Sequence, residues 1–578
     1  MVALSRMSSR TVYAVLEETA RKHPEVVALR QPAGGGAYRS WTYREYREAV
    51  RQIAVGLREF GVQKGEIVAL QSETRAEFYL ADLGLMSCGA IAAALYTSLP
   101  YADQARALKA SGARFAMVEN LAALRALEAA GERANWIVLT GESGGFATLE
   151  QIRQAGENKL KSDPSAFERI HGEVRGADSA VLYMTSGATG EPKMGLVTHA
   201  ALVANMDHAP DVLPLTPEDV TLAFLPSAHI AQRVVVELVP IRQGTCVVFS
   251  EGISKLPQEM RAVRPTFFLA PPRVWERVYF TVSNEIKKRP APIRKLFYAA
   301  LGVGSEASRL RQQGKPVPLA LRVSLKFFDR VIFRKIRARL GGRIRIAASG
   351  AAPLGKELAE FYAAIGMPLI EGYGLTEGGV AALNPLDRPK PGSIGKMLPR
   401  VEARLAEDGE LMLRSPCLFS GYYKDPEATA AVLRDGWLAT GDIAEQDSDG
   451  YWYITGRKKE VIVSSNGKKI YPARIEVLFK REPAINQVLL IGDGLPYVTA
   501  LFTVNGDPEE TREAVERAVK DVNKQLASFE QIRKFKILER DFSIETGELT
   551  PTMKIRRDRV LQNHRAAVSE LYMGRGID

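Results

Sequence analysis

The 578-residue sequence has only three cysteines, Cys88, Cys246 and Cys417, far apart and odd in number. That excludes a disulfide framework and points to a reducing compartment. No CxxC pair occurs, and the six histidines do not fall at metal-ligand spacings, apart from a loose His199 and His208. Zinc chemistry is therefore disfavoured, and any metal is expected to be a hard one such as magnesium. Long apolar runs are missing too. Residues 83–99 are free of charge, but Gly84, Ser87, Cys88, Gly89 and Ser98 interrupt them, and they fall short of the ~20 apolar residues that span a bilayer. They read as buried helix and strand. The N-terminus, MVALSRMSSRTVYAVLEETARKHPE, reaches acidic residues before any apolar core forms. It reads as an opening helix and not as a secretory signal. There is no internal repeat or low-complexity tract.

What is present suits a large globular protein. Hydrophobic residues make up 46% and charged residues 25%, enough for a substantial core divided over more than one domain. Thr42 with Glu45 forms a capping-box pattern, and Ala49, Val50, Ile53, Ala54 and Leu57 then recur at helical spacing until Gly61. A strand, IVALQS, follows at once. The same alternation returns in VVVELVPIRQGTCVVFS, RPTFFLAPP and RIRIAASGAAPL, so the fold class is α/β with at least partly parallel sheets. Near Gly456 the chain turns polar and basic (TGRKKE) and resumes as strand, turn and helix. The organisation expected is a large multi-layer N-terminal domain, 1–456, with β-sheets flanked by helices, and a small α+β C-terminal domain, 457–578.

The net charge of +11 is not spread evenly: residues 287–345 hold seventeen lysines and arginines against Glu306 and Asp329. The rest of the chain is net acidic. Within this basic insertion Leu321, Leu325, Phe328, Ile332, Ile336 and Leu340 share one helical face. Two readings follow: a core-facing helix with a solvated back, or an interfacial helix on an anionic membrane, its apolar face entering the lipid if the core leaves it free. Nucleic acid is not expected as a partner, because no recognition motif accompanies the charge.

A short strand at 181–184 feeds Thr185-Ser186-Gly187-Ala188-Thr189-Gly190-Glu191-Pro192-Lys193. Glycines let backbone amides wrap phosphate oxygens, and hydroxyls and a lysine add donors and charge. The spacing is not the Walker pattern, and a loop of this kind taken alone is more often a turn. Its company decides. TSGATGEPK resembles the phosphate loop of the adenylate-forming superfamily, and five further strings follow in that superfamily's order: ASGAAPL at 348–354, EGYGLTE at 371–377, TGD at 440–442, GRKKE at 456–460 and ELTPTMK ending at Lys554. The resemblance spans 185–554 and is closest to long-chain fatty acyl-CoA synthetases.

The resemblance implies a role for each matching residue. Thr185 and Glu377 would hold Mg2+ against the triphosphate of ATP, with Ser186, Gly187, Thr189, Gly190 and Lys193 completing the cradle. Tyr373 would stack on adenine beside Gly350, Gly374 and Thr376, Asp442 would accept from the ribose hydroxyls, and Arg457 would add a cationic donor. Lys554 would be the catalytic lysine, and Lys459 the hinge about which a mobile C-terminal domain turns. That turn would bring in Ser464-Ser465-Asn466-Gly467-Lys468 beside the pantetheine arm of coenzyme A. Alone, Asp442 reads as a turn cap and Glu377 as a helix cap. LPSAHIAQR at 225–233 resembles the fatty acyl segment that carries a histidine, here His229, beside the acyl pocket; from the residues alone His229 reads equally as a packed core histidine. Gly350 would border the substrate as well as adenine, and the small residues after Glu377, which are Gly378, Gly379, Ala381 and Ala382, either leave a tunnel open to a chain, with Gly378 then at the substrate, or permit tight packing. Ala188 and Met194 depart from the family pattern.

The activity expected is ATP-dependent activation of a medium- or long-chain fatty acid to acyl-AMP, then transfer to coenzyme A. The alternatives are a fatty acyl-AMP ligase loading a carrier protein, an aryl- or bile-acid-CoA ligase, and a non-catalytic membrane-binding protein. The expected location is the cytoplasm or the inner face of its membrane.

Overall fold

The computed structural model describes residues 10–186, 192–465 and 467–573, with the backbone alone at 185, 186 and 192. The chain opens with the helix Val12–Lys22, whose first turn is capped by Thr11. The helix Tyr43–Glu59 starts at the capping box that the sequence signals: Thr42 Oγ1 accepts from the Glu45 N–H at 3.2 Å, and Glu45 Oε2 accepts from the Thr42 N–H at 2.8 Å. The strands Ile67–Gln71 and Ile91–Leu95 are buried at every position, and the helix Ala76–Ser87 between them is buried almost throughout. Strands covered on both faces belong to parallel sheet between helical layers.

Among the described residues two large sheets dominate. One has a parallel centre of Ser179–Ser186, Ile91–Leu95, Ile67–Gln71, Phe115–Val118 and Asn135–Val138. Antiparallel to its edge runs Pro192–Thr198. The other places Cys246–Phe249, Val220–Ala223, Phe267–Ala270, Ile346–Ser349 and Leu369–Leu375 in parallel, and Gly379–Leu383 turns back on the last of these. A smaller antiparallel sheet follows, ending in the strand Trp452–Arg457. That strand runs one residue past the break expected at Gly456. Beyond it, Ile485–Ile491, Val498–Val504 and Ile532–Ile537 form a three-stranded sheet. With the helix Pro508–Asn523 they surround their own apolar core of Phe479, Phe502 and Val515. The architecture is α/β, with sheets flanked by helices and a C-terminal α+β domain.

The stretch VVVELVPIRQ is helical: a π-helix Ala231–Leu238 leads into Val239–Gln243, and Gly244, at φ 76°, ends it before the strand Cys246–Phe249. The basic insertion is helical as well, comprising Ala291–Gln312, Leu319–Phe328, a π segment Asp329–Phe333 and Arg334–Ala338. Its expected apolar face turns inward. Leu325, Phe328 and Ile332 pack half-buried on the core around Trp275 and Phe297, and Phe333, Ile336 and Leu340 are buried. Of the two readings of this face, the core-facing one is the one observed, because the core already covers it. Cys88, Cys246 and Cys417 are buried free thiols, and no described helix is long and apolar enough to cross a membrane.

Candidate active site

A cleft of about 1160 Å³ opens at the carboxyl ends of the parallel strands, where ligands collect in α/β sheets. Met184, Ser349, Gly350, Tyr373, Gly374, Thr376 and Glu377 come to it from strand ends, His229 and Ile230 from the turn before the π-helix, Arg457 from the end of the strand Trp452–Arg457, and Lys458 and Lys459 from the single turn that follows. The C-terminal domain closes it with residues 544–559, including Lys554.

Two motifs are tied together beneath it. Glu371, at the head of EGYGLTE, accepts the Leu354 N–H of ASGAAPL at 2.9 Å, and burial pushes its carboxyl up to about 8. The TGD turn is held from below by Glu410, which accepts the Gly441 N–H at 2.8 Å and the Lys458 ammonium at 2.9 Å. Asp442 is almost wholly buried. It takes the Tyr373 hydroxyl at 2.6 Å and the Arg457 Nε at 2.9 Å. The three residues thus form one unit, with Tyr373 and Arg457 facing the cleft and Asp442 behind them.

Glu377 receives the Tyr422 hydroxyl on Oε1 at 2.6 Å. Lys193 sits over the Tyr422 ring, its Nζ 4.9 Å from the centroid. Tyr422 was not singled out from the sequence, although GYY at 421–423 was there to be read. Across the antiparallel pair Thr185 lies opposite Lys193 and Ser186 opposite Pro192. The side chains of Thr185 and Ser186, and all of Gly187, Ala188, Thr189, Gly190 and Glu191, lie outside the described residues. Met194, a departure from the family pattern, is accommodated as a strand residue opposite Met184 and packed on the apolar core.

Lys554 stands on a tight loop. Its N–H donates to Thr550 Oγ1 at 3.0 Å, its carbonyl accepts from the Thr550 N–H at 2.8 Å, and Met553 just before it takes φ 64°, left-handed backbone that a side chain disfavours. The base of the loop is fixed by Glu548, wholly covered, which accepts from Arg540, Thr546 and Asn563 and contacts His564. These bonds outweigh burial and bring its carboxyl down to about 2. Surrounding protein and then the charge of Arg457 lower the Lys554 ammonium, while the carboxylates of Asp442, Glu460 and Glu377 oppose that shift. The side chain itself opens on the cleft.

His229 is pushed down to about 3, first by burial and then by Lys554, so its ring is neutral. Nδ1 accepts the Ala231 N–H at 3.2 Å, and that bond assigns the ring proton to Nε2.

The glycines divide. A Cβ on Gly350 would meet nothing nearer than the Gly372 carbonyl oxygen at 3.5 Å, so nothing in the protein demands glycine there; the free space belongs to the cleft. A Cβ on Gly378 would strike the Leu375 side chain at 2.6 Å, and Gly378 is not on the cleft wall. Of the two readings of Gly378, the packing against Leu375 favours tight packing over an open tunnel. Ser464, Ser465, Gly467 and Lys468 of the expected pantetheine loop are also not on the cleft wall. Asn466 lies outside the described residues, and the Ser464 N–H donates to the Lys468 carbonyl at 3.0 Å across the turn. Lys459 is exposed in the single-turn helix Lys458–Glu460, directly after the strand Trp452–Arg457.

Comparison with known proteins gives consistent matches. Residues 16–423 match the family described as AMP-binding enzyme, and 459–575 match the AMP-binding enzyme C-terminal domain. A relative from Mycobacterium bovis named long-chain-fatty-acid–CoA ligase FadD15 is 34% identical over 97% of both chains. Another from Xenopus laevis, named long-chain-fatty-acid–CoA ligase ACSBG2, is 26% identical over 98% of this chain and 84% of its own. Among solved structures, the anthranilate CoA ligase AuaEII in complex with anthranoyl-AMP superposes with a TM-score of 0.75 at 20% identity, covering 97% and 98% of the two chains. A fatty acyl CoA synthetase of Mycobacterium tuberculosis superposes at 0.63 with 22% identity, covering 96% and 99%. At these identities the superpositions speak for the fold alone.

Proposed function

The chain belongs to the AMP-binding enzyme family, and on that premise we infer that it is an AMP-forming fatty acid–CoA ligase. It joins a fatty acid to ATP, releasing pyrophosphate and leaving acyl-AMP. It then passes the acyl group to the thiol of coenzyme A, releasing AMP. The observation that carries this reading is that Lys554, from the C-terminal domain, stands in one cleft with Glu377, the Tyr373–Asp442–Arg457 unit and His229.

Each group has a task. The attacking carboxylate is already ionised, so no general base is required, and the difficulty is bringing anions together at the α-phosphate. Lys554 supplies positive charge there, and the nearby carboxylates favour its protonated form. Tyr373 offers a ring face to adenine, and Arg457, held in place by Asp442, meets the ribose. Lys193, with Thr185, Ser186, Gly187, Thr189 and Gly190, cradles the triphosphate. Neutral His229 presents an N–H and not a second cation beside the acyl carboxyl. Apolar Val212, Leu213, Val234 and Val239 line the deeper cleft, which suits a medium- or long-chain acid.

Magnesium fits this donor set. Glu377 has one oxygen engaged by Tyr422 and keeps the other, and such an ion takes one or two protein ligands and completes its shell from phosphates and water. Glu377 with Thr185 would hold it, and it would neutralise charge on the triphosphate.

We assign 1–456 and 457–578 as units that move about Lys459. In the arrangement described, Lys554 is in the cleft and the loop 464–468 is out of it, as the adenylating half-reaction requires. Buried free thiols, together with ATP and coenzyme A as substrates, support a cytoplasmic enzyme with any membrane contact peripheral. Incubation of a panel of acids with ATP, magnesium and coenzyme A, followed by identification of the product, tests the function. Acyl-CoA from medium- or long-chain acids is expected. Acyl-AMP that accumulates and is released only to a carrier protein would make it an acyl-AMP ligase, and a preference for aryl or sterol acids would overturn the substrate class.

A further inference from the structure

The C-terminal domain meets the N-terminal domain at a second place, away from the Lys554 loop. There the helix Pro472–Glu476 and the 3-10 helix Val477–Arg481 come against the start of the helix Pro272–Lys287, whose first turn is set by Pro272. Arg273 and Glu276 stand three apart on that turn and so share a face.

Both are engaged across the boundary. Arg273 Nη1 donates to the Asn486 carbonyl at 2.9 Å and to Asn486 Oδ1 at 2.7 Å. Glu276 is 5% exposed, and Lys480 Nζ stands 3.1 Å from its Oε1. The same ammonium donates to the Pro353 carbonyl at 2.8 Å, within ASGAAPL. On Glu371, burial pushes the carboxyl up, and the Leu354 N–H and then the Lys480 charge oppose it, so Lys480 faces a second carboxylate of the N-terminal domain. Among the described residues Lys480 is the one ion-pair partner of Glu276, and a carboxylate so covered is costly without a cation.

We propose that Lys480 and Arg273 form a latch that holds the C-terminal domain in the adenylating arrangement, Lys480 on Glu276 and the Pro353 carbonyl, Arg273 on Asn486. Both are positioning residues that act through Lys554. The inference rests on the reading that this domain moves between the half-reactions. A latch of charged groups suits that motion. Opening it returns the ammonium, the guanidinium and the Glu276 carboxylate to water, and a paired charge taken out of water gains little over the same charges solvated. The two arrangements therefore stay close in free energy, which an apolar contact of the same extent would not allow.

Lys480→Glu sets a second carboxylate against Glu276. It is expected to lower the latched fraction of the chain, and with it the single-turnover rate of acyl-AMP formation, by about tenfold or more. Acyl-CoA formation from supplied acyl-AMP should stay at or above the unaltered rate. Adding Glu276→Gln to the same chain removes the repulsion and should recover most of the loss, and Lys480→Arg, which keeps the charge, should retain most of the unaltered rate. A purely structural role would instead lower both half-reactions and the melting temperature together.

The domain arrangement is read independently of chemistry. Because the three native thiols are buried, dyes attached through Arg277→Cys and Glu513→Cys, at two exposed positions, report it by energy transfer in the full chain without substrates. One transfer efficiency should dominate in the otherwise unaltered protein, and Lys480→Glu should populate a second. Should that variant not fold, Lys480→Gln combined with Arg273→Gln takes its place in both measurements. Equal loss in both half-reactions, a loss that Glu276→Gln does not relieve, or an unchanged transfer efficiency overturns the latch. The reading beneath it fails separately: if Lys554→Ala slows both halves alike, the domain movement itself is wrong, whereas a split for Lys554→Ala without one for Lys480→Glu removes the latch alone.

Discussion

Behind the π-helix that follows His229 lies a charged cluster sealed in the N-terminal core. Asp82 and Arg233 are wholly buried and paired, with Arg233 Nε 3.1 Å from Asp82 Oδ2. Glu237, one turn along, is 1% exposed, and neither of its carboxylate oxygens has a partner. Burial, and then the charge of Asp82, raise Glu237 well above its ordinary 4.5, with Arg233 opposing too weakly to offset them. We therefore take Asp82 as the counter-ion of Arg233 and Glu237 as a neutral acid. An acid whose folded value is raised binds a proton that the unfolded chain has released. Its contribution to stability is thus intact below 4.5 and is lost as pH rises towards the folded value. At about 1.4 kcal/mol per pH unit, holding Glu237 neutral at pH 7 costs up to roughly 3 kcal/mol. Glu237→Gln has the same shape and remains neutral, so it is expected to stabilise the protein at pH 7 by up to that amount, with the gain fading towards pH 4.5. Melting temperatures of variant and unaltered protein, measured side by side between pH 5 and pH 8, give the difference. A variant that melts lower at pH 7, or a difference that does not change with pH, would refute the assignment and make Glu237 an ionised partner of Arg233. Asp82→Asn should instead be destabilising, by about 3–5 kcal/mol if the Arg233 charge is left alone.

Other predictions concern the cleft. With Glu377 holding magnesium as proposed, Glu377→Gln puts a poorer ligand in its place and should raise the magnesium concentration for half-maximal adenylation several-fold, read from a magnesium titration; an unchanged titration would return Glu377 to a structural cap. Tyr422→Phe removes a hydrogen bond to a charged group, worth about 1.5–3 kcal/mol, and should slow adenylation by at least tenfold with little change in melting temperature. Gly350→Val has room in the protein but not beside a nucleotide, so the KM for ATP should rise while the fold survives; an unaltered KM would take Gly350 off the adenine wall.

Much of this was legible in the sequence, for identifiable reasons. The Thr42–Glu45 capping box and the strand Ile67–Gln71 are local signals, and local structure followed them. The motifs at 348–354, 371–377, 440–442 and 554 carried the site because each places one residue type at a strand end or in a loop. Contacts between distant segments were not legible. Tyr422 bridges Lys193 and Glu377 from far along the chain, and Glu548 fixes the Lys554 loop through four neighbours. Gly378 is small because of Leu375, three residues away yet folded back on it. The insertion shows a further limit: periodicity found a helix with an apolar face, but which way that face turns depends on Trp275 and Phe297, contributed by other helices.

The central claim is that Lys554, in the arrangement described, serves the adenylating half-reaction and leaves the cleft before the thiol arrives. Single-turnover rates of Lys554→Ala in each half test it most directly: acyl-AMP formation from acid and ATP, then acyl-CoA formation from supplied acyl-AMP. The account predicts that the first falls by orders of magnitude while the second stays within a few fold of the unaltered enzyme. Equal loss in both halves would contradict it.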